Sequence, residues 1–268
     1  MFDAVKTVLS ENWINRKRML RLANYELRAQ NNGTMFGFLW NFLNPALQIF
    51  VYYFVFAIGL QVHAPKDGYP YIIWMIVGII PWFYISSALQ TSAMSIYNYS
   101  GVLKRVKLPL AIVPVKTVVS GFIGHVWAML VVFAIIICSG SRINRMVFQL
   151  PYYMFAMICF LCSWGLLASA VTVVVKDFQK VLPPIIRLLF YVSPIVWNQD
   201  NMTGGVKVFF TYSPFSYIIN GYRNCVLYGI SFTDNWKQML SFWIITLILF
   251  GVGASVHMKL RKKFLDLI

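Results

Sequence analysis

Residues 71–93 of the chain read YIIWMIVGIIPWFYISSALQTSA, a run of 23 residues without a charged side chain. A helix of about 20 mostly apolar residues is long enough to cross the hydrocarbon core of a bilayer. Five more apolar segments of similar character lie on either side of this run. The sequence therefore predicts an all-α, polytopic membrane protein with six transmembrane helices, at 36–60, 71–93, 110–138, 151–175, 181–197 and 238–258.

The composition of the whole chain supports this prediction. Of its 268 residues 59% are hydrophobic, and only 12% are Asp, Glu, Lys or Arg, against about 25% in a typical soluble domain. The formal net charge is +15, but the chain has none of the base-reading motifs or zinc-ligand spacings of a nucleic-acid module. We therefore expect membrane lipids and no nucleic acid as partners.

Lys and Arg are distributed unequally between the segments that flank the predicted spans. Fifteen of the 23 lie in the N-terminal arm, after the second span, after the fourth span and after the last span. Six lie in the segments after the first, third and fifth spans, and Lys116 and Arg187 fall within spans. Because Lys and Arg accumulate in cytoplasmic loops, we predict a multi-pass protein of the cell (inner) membrane with both termini in the cytoplasm.

Residues 1–35 are basic and differ from the membrane domain predicted at 36–268. Apolar residues such as Trp13 and Leu20 could share one face of a helix while Arg16, Arg18 and Arg28 face lipid headgroups. That pattern is typical of an amphipathic helix at the membrane interface. A basic arm that is merely solvated is the alternative.

The segment 198–237, between the fifth and sixth predicted spans, is too long for a turn and too apolar for a solvated loop. From residue 213 to 223 it reads SPFSYIINGYR. Non-helical backbone is tolerated at membrane depth only where protein or a water-filled cavity satisfies its polar groups. We expect short re-entrant helices on the outer side, with Pro214 in a candidate exit gate.

A transporter needs an energy source, and the sequence shows none of the usual ones. It has no GxxxxGK[ST] phosphate loop that would bind ATP. None of its eight Asp and Glu residues lies in a predicted span, where an ion-coupled transporter normally carries one. Hydrolysis must then come from another chain, or the protein is passive or structural.

The sequence also lacks a recognisable catalytic or metal site. Its three His and four Cys residues are scattered without acidic partners, and Cys159 and Cys162 lie within a span, where small apolar filler is the simpler interpretation. We therefore predict no cofactor in this chain. A polytopic membrane enzyme such as a transferase is the alternative.

Two cations interrupt the predicted spans. Lys116 and Arg187 each lie roughly 10 Å from the cytoplasmic end of their span at 1.5 Å per residue, and a charge at mid-bilayer costs at least about 2.5–3.5 kcal/mol. Both could contact the phosphates of an anionic substrate. Snorkelling to the inner headgroups is the alternative.

Aromatic side chains in the spans could have a second role. Sugar rings present apolar faces that stack on aromatic rings, so an aromatic-lined path could hold a glycan loosely enough to let it slide. Ordinary interface belts are the alternative. The candidates are Trp40, Tyr52, Tyr53, Trp74, Trp82, Phe83 and Tyr84.

Four motifs in this order resemble those of a known family. They are GFLWNFLNPALQIFVYYFVFAIGL (37–60), LKRVKLP (103–109), VVKDFQKVLPPIIRLLFYVSPIVW (174–197) and SPFSYIINGYRNCVLYG (213–229). The chain resembles, over essentially its whole length, the ABC-2 type permeases that export polysaccharides and polyol phosphates. Within them it is most similar to wall teichoic acid permeases, with O-antigen and capsule permeases next.

The resemblance implies a permease homodimer with two ATPase subunits, which would bind ATP and Mg²⁺, exporting an undecaprenyl-pyrophosphate-linked polymer. It implies a coupling helix at 97–108, with Lys104, Arg105, Lys107 and Leu108 docking on the ATPase. It also implies an interfacial gate helix at about 12–30, which contains Arg16, Arg18 and Arg28. An Asn-Pro pattern of the family reads Ser213-Pro214 here, which departs from the family at the outer gate. A small-molecule ABC-2 exporter would share this architecture and is the alternative.

Overall fold

The structure is a computed structural model of the chain and describes residues 1–31, 37–61, 69–103, 108–197 and 204–267. All regular structure in these ranges is helical, which confirms the predicted all-α fold. The helices are α1 (Phe2–Ile14), α2 (Arg16–Asn31), α3 (Trp40–Tyr53), α4 (Tyr71–Asn98), α5 (Ser100–Leu103), α6 (Ile112–Cys138), α7 (Leu150–Val174), α8 (Phe178–Val192), α9 (Gly204–Thr211), α10 (Pro214–Arg223) and α11 (Trp236–Leu267).

Shorter helical turns extend three of these helices. A π-helical segment at Phe54–Gly59 continues α3, and another at Asn224–Tyr228 continues α10. A 3₁₀ turn at Arg145–Gln149 leads directly into α7, whose second residue is Pro151. Proline suits the first turn of a helix because no intrahelical acceptor awaits its missing N–H.

Four helices in the described ranges are long and apolar enough to cross a membrane. They are Tyr71–Asn98, Ile112–Cys138, Arg145–Val174 and Trp236–Arg261. The first predicted span is represented by a shorter apolar helix, Leu43–Gly59, and the fifth by the 15-residue α8. A multi-pass membrane protein is thus confirmed, whereas the number six stays a prediction.

Helix α4 is the centre of the bundle. Its residues from Ile73 to Trp82 are buried without interruption, as expected of a helix that is apolar on all sides. It packs against α6, α7 and α10. Helix α11 closes the bundle on α7, where Gly253 brings the two backbones together: a Cβ there would lie 3.0 Å from the Ser163 carbonyl oxygen.

The two ends of the bundle differ. At the first, Ile96, Val173 and Phe264 pack together where α4, α7 and α11 finish. We call it the basic end, because Lys and Arg lie in the segments that follow α4 and α7 and in the last turns of α11. At the second, the re-entrant end, the Tyr69 hydroxyl donates hydrogen bonds to the carbonyls of Arg142 and Leu227, at 3.0 and 2.9 Å.

The segment between α8 and α11 folds back into the bundle, as the sequence predicts. Pro214 is the first residue of α10, and the ring of Phe215 lies 5.9 Å from that of Trp82 and 5.6 Å from that of Phe160. Both partners lie more than two turns inside their helices. From there α10 and its π-helical continuation run out to Leu227 at the re-entrant end. Whether these short helices re-enter the membrane stays a prediction.

The N-terminal arm forms two helices rather than the one predicted at about 12–30. They are separated at Asn15, whose side-chain amide donates to the carbonyl of Glu11 at 2.9 Å. Asn side chains compete for backbone partners in this way and so favour helix ends. Helix α1 packs on α11, and α2 packs on α6.

Candidate functional site

A polar stripe runs along the surface of α4. The stripe consists of Ser86, Ser87, Gln90 and Thr91, and Phe83 lies one turn before it. Steps of three or four residues place all five on one face of the helix. Ser86 and Thr91 donate to carbonyls of their own helix, at 3.1 and 2.8 Å. Their hydroxyl oxygens keep acceptor capacity for a ligand.

Helices α3 and α8 turn this stripe into a groove. Asn44, Pro45 and Gln48 of α3 face the stripe in one part, which encloses about 350 Å³. Helix α8 contributes Pro183, Arg187 and Tyr191, among others, to an adjoining part of about 370 Å³, and the two parts share Gln48, Phe83, Ser86 and Gln90. We call these two parts together the groove.

Aromatic rings line the wall of the groove. The ring of Phe190 lies 4.9 Å from that of Tyr52 and 6.0 Å from that of Trp82. Trp40 lines a third pocket of about 290 Å³, which shares Asn44 and Phe83 with the groove. Five of the seven aromatic candidates from the sequence thus line the groove or the adjoining pocket: Trp40, Tyr52, Trp82, Phe83 and Tyr84.

Trp74 does not join them. It is 2% exposed and lies at the re-entrant end, where the Arg223 guanidinium carbon is 3.5 Å from the centre of its ring. The sequence pattern could not separate Trp74 from the other aromatics, because all of them occur in or beside apolar runs. The prediction that Trp74 lines a path together with the other aromatics is therefore corrected: Trp74 packs against Arg223 instead.

Arg187 is the single charged side chain among the described residues that line the groove. It is exposed, and the ion pairs found in the described part of the chain do not include it. Its charge is therefore open to an anionic ligand.

Lys116 lies elsewhere. It is 1% exposed, its Nζ lies 2.9 Å from a carboxylate oxygen of Glu26, and the same Nζ is 4.0 Å from the centre of the Tyr99 ring. Burial, with the neighbouring Glu26 and Tyr25, raises the pKa of the Tyr99 hydroxyl. The structure thus gives Lys116 a protein carboxylate where the sequence suggested a substrate phosphate, and it does not bring Lys116 and Arg187 together.

The expected coupling segment is described only in part. Lys104, Arg105 and Lys107 lie outside the described residues. Leu108 is half-buried and packs on a cluster that joins the basic ends of four helices. The members of this cluster are Ile96, Leu110, Val113, Ala170, Val173 and Phe264.

The expected gate residues are split between two places. The Arg16 guanidinium lies 4.5 Å from the centre of the Trp13 ring, and Arg18 donates to the side-chain oxygen of Asn15 at 3.4 Å. The side chain of Arg28 is outside the described part of the structure. Pro214 lies within the bundle, far along the chain from these three.

Sequence reasoning missed several charged contacts. Glu11 pairs with Arg261 and Glu26 with Lys116, so each N-terminal helix is joined to a membrane helix by one carboxylate. Arg223, which the sequence places between the fifth and sixth predicted spans, is 2% exposed. Among the residues described, no three His, Cys, Asp or Glu side chains cluster so that they could hold a metal ion.

Comparison with known proteins assigns the chain to a family. The O-antigen export system permease protein RfbA of Klebsiella pneumoniae is 23% identical over 248 residues, 92% of this chain and 93% of that protein. The RfbA protein of Myxococcus xanthus is 22% identical over 255 residues, 94% of this chain and 95% of that protein. The polysialic acid transport protein KpsM of Escherichia coli is 22% identical over 235 residues, 87% and 89% of the two chains.

A family model matches most of the bundle described above. The model of the ABC-2 type transporter covers residues 18–227, from α2 through α10 to its π-helical continuation. The chain belongs to the ABC-2 type transporter family.

Proposed function

We propose that this chain is the permease subunit of an ABC exporter that moves a lipid-linked cell-surface polysaccharide or polyol phosphate polymer, powered by a separate ATPase. The groove is the observation that carries the proposal, because its lining combines amides, hydroxyls and aromatic rings. The family match supports an ABC-2 transporter. The O-antigen and polysialic acid proteins similar to the chain support a polysaccharide as cargo.

The chemistry of the groove suits a sliding polyol. Asn44, Gln48 and Gln90 carry amides that can both donate to and accept from sugar hydroxyls. Tyr52 and Phe83 offer faces for stacking, which holds a ring without fixing one orientation. Weak, repeated contacts of this kind would let successive repeat units pass.

The proposed assembly is a homodimer with two ATPase subunits that bind ATP and Mg²⁺, with the basic end in the cytoplasm. The groove is open on one side in a single chain, and apolar side chains flank it. On α3 these include the exposed Leu47, Phe50 and Val51, and on α8 the exposed Ile185 and Leu188. A second copy facing these helices would enclose the polymer path and cover this apolar surface.

Coupling is proposed to enter at 97–108. A displacement of this segment would be transmitted to four helices, because Leu108 packs where α4, α6, α7 and α11 meet. The charges of Lys104, Arg105 and Lys107 would form the contact with the ATPase. Arg16, Arg18 and Arg28 on α2 would hold the interfacial gate, and Pro214 would begin the outer one.

The proposed cargo is wall teichoic acid on an undecaprenyl-pyrophosphate carrier, with O-antigen or capsular polysaccharide next. This finer assignment rests on the sequence motifs and on Arg187, which would contact the phosphates of the polymer.

The export function is tested by reconstitution. The permease and the ATPase encoded beside it are placed in liposomes with lipid-linked polymer. A membrane-impermeant enzyme that cleaves the polymer, a glycosidase for a polysaccharide or a phosphodiesterase for a polyol phosphate, reports polymer that has crossed. We expect crossing only with both subunits and hydrolysable ATP. Crossing by the isolated permease, or ATP-driven movement of an amphipathic drug without movement of polymer, would contradict the proposal.

The phosphate contact is tested in the same system. Arg187→Gln should raise the KM for a polyol phosphate polymer by roughly tenfold, since a hydrogen bond to a charged group contributes about 1.5–3 kcal/mol. Arg187→Lys is the charge-preserving control, and a neutral O-antigen polymer is the substrate control. An equal rise in KM for the charged and the neutral polymer would contradict the phosphate contact and would mean that Arg187 only anchors α8 in the membrane.

A further inference from the structure

Arg223 ends α10 and is buried against three carbonyl groups. Its Nε donates to the carbonyl of Trp74 at 3.2 Å, and its Nη1 and Nη2 donate to the carbonyls of Pro194 and Ile195. The three acceptors belong to α4 and to the segment that follows α8. One side chain therefore connects three separate parts of the bundle.

The surroundings of the guanidinium are built to hold it. Its carbon lies 3.5 Å from the centre of the Trp74 ring, a geometry in which a cation is attracted to the ring face. Gly78, one turn further along α4, leaves the room it needs, because a Cβ there would overlap Nη2 and Cζ of Arg223. No ion pair in the described ranges includes Arg223, so dipoles and an aromatic ring stabilise its charge.

Two of the three carbonyls that Arg223 binds, those of Pro194 and Ile195, belong to backbone that is not helical. Helix α8 ends at Val192, and Ser193 is extended, with φ −78° and ψ 151°. The next three carbonyls are taken by side chains: Arg223 binds those of Pro194 and Ile195, and the Tyr71 hydroxyl donates to that of Val196 at 2.8 Å. Such backbone needs these partners wherever lipid excludes water.

The same segment directly follows the helix that lines the groove. Arg187, Phe190 and Tyr191 line the groove on the last turns of α8, and Pro194 follows within one turn. Arg223 thus links this wall to the re-entrant helix.

We propose that Arg223 is a positioning residue that fixes the end of α8 to α10, so that the groove wall and the re-entrant helix move as one unit during export. This inference rests on the proposed export function. Without the guanidinium the carbonyls of Pro194 and Ile195 lose their partners, and unsatisfied buried groups draw in water or shift. The re-entrant end would then leak, and its motion would no longer follow that of α8.

Two variants test the proposal in the reconstituted permease–ATPase complex. Arg223→Gln removes the charge and two of the donor positions. Gly78→Ala keeps Arg223 but adds a Cβ that displaces its guanidinium. Alanine is otherwise favourable within a helix. Polymer exported per ATP hydrolysed should fall roughly tenfold in both variants, a change typical of lost coupling between sites. Efflux of a trapped small dye should rise above the wild-type level while ATP turnover persists.

Three comparisons make the result specific to Arg223. Lys237→Gln removes an exposed cation beside Trp236 and should behave as wild type. Arg223→Lys keeps the charge but not the fork of donors, so it should restore only part of the coupling. A wild-type complex that exports nothing would contradict the proposed function; the dye measurement needs no polymer and would still show whether Arg223 seals the re-entrant end.

The inference is overturned if both variants keep the wild-type export per ATP and the wild-type dye retention. It is also overturned if both merely lower the amount of assembled complex, with normal coupling in each remaining molecule, or if both prevent assembly. In those cases Arg223 serves folding alone.

Discussion

At the residue scale, three cations of the bundle have three different environments. Lys116 pairs with a carboxylate, Arg223 binds carbonyls and a ring, and Arg187 faces the groove. The sequence marks Lys116 and Arg187 as unusual because they interrupt apolar runs. It cannot distinguish their roles, because each partner comes from another element of the fold.

The contact between Lys116 and Glu26 predicts a coupled effect on stability. Lys116→Gln should lower the melting temperature of the purified permease, because Glu26 loses its partner. Removing one member of a buried ion pair costs about 3–5 kcal/mol, and we expect less here because Glu26 keeps 29% of its side chain exposed. Thermal unfolding in detergent measures the change.

A double variant provides the control for this pair. Lys116→Gln with Glu26→Gln leaves no unpaired charge and should melt closer to wild type than Lys116→Gln alone. Contacting residues show such non-additive effects, whereas distant ones do not. Strictly additive losses would mean that the ion pair contributes nothing.

At the element scale, the sequence predicts the long helices well and the interrupted ones poorly. Tyr71–Asn98 and Ile112–Cys138 begin within two residues of the predicted spans, because a long apolar run leaves few alternatives. The span predicted at 181–197 ends at Val192 instead. Ser193 precedes Pro194, and a residue before proline disfavours the helical conformation. Apolar composition alone therefore overestimates the length of this helix.

Helix α2 offers a test of the interfacial gate. The Ser120 hydroxyl donates to the carbonyl of Ala23 at 3.3 Å, and both residues are buried where α2 meets α6. A disulfide between Ala23→Cys and Ser120→Cys, with the exposed Cys138 changed to Ser, should hold α2 on α6. If α2 must move during export, oxidation stops transport and reduction restores it.

Each single cysteine variant is the matched control and should export normally under both conditions. Full export by molecules shown to carry the cross-link would mean that α2 does not move away from α6 during transport.

At the scale of the whole molecule, the groove was predicted only in part. The aromatic candidates and Arg187 stand out in the sequence as exceptions within apolar segments. Gln48, Ser86 and Gln90 do not, because isolated amides and hydroxyls occur in many membrane helices. Only the packing of α3, α4 and α8 shows that they face one space.

The central claim is that the polymer passes along this groove. Cysteine at Thr91, which is exposed in the groove, is labelled with a small maleimide in the complex, with and without polymer and ATP. Cysteine at the exposed Lys237 is the control outside the groove. We expect the polymer to slow labelling at position 91 only while ATP is hydrolysed, and never at 237. Equal labelling at position 91 with and without moving polymer would contradict the account.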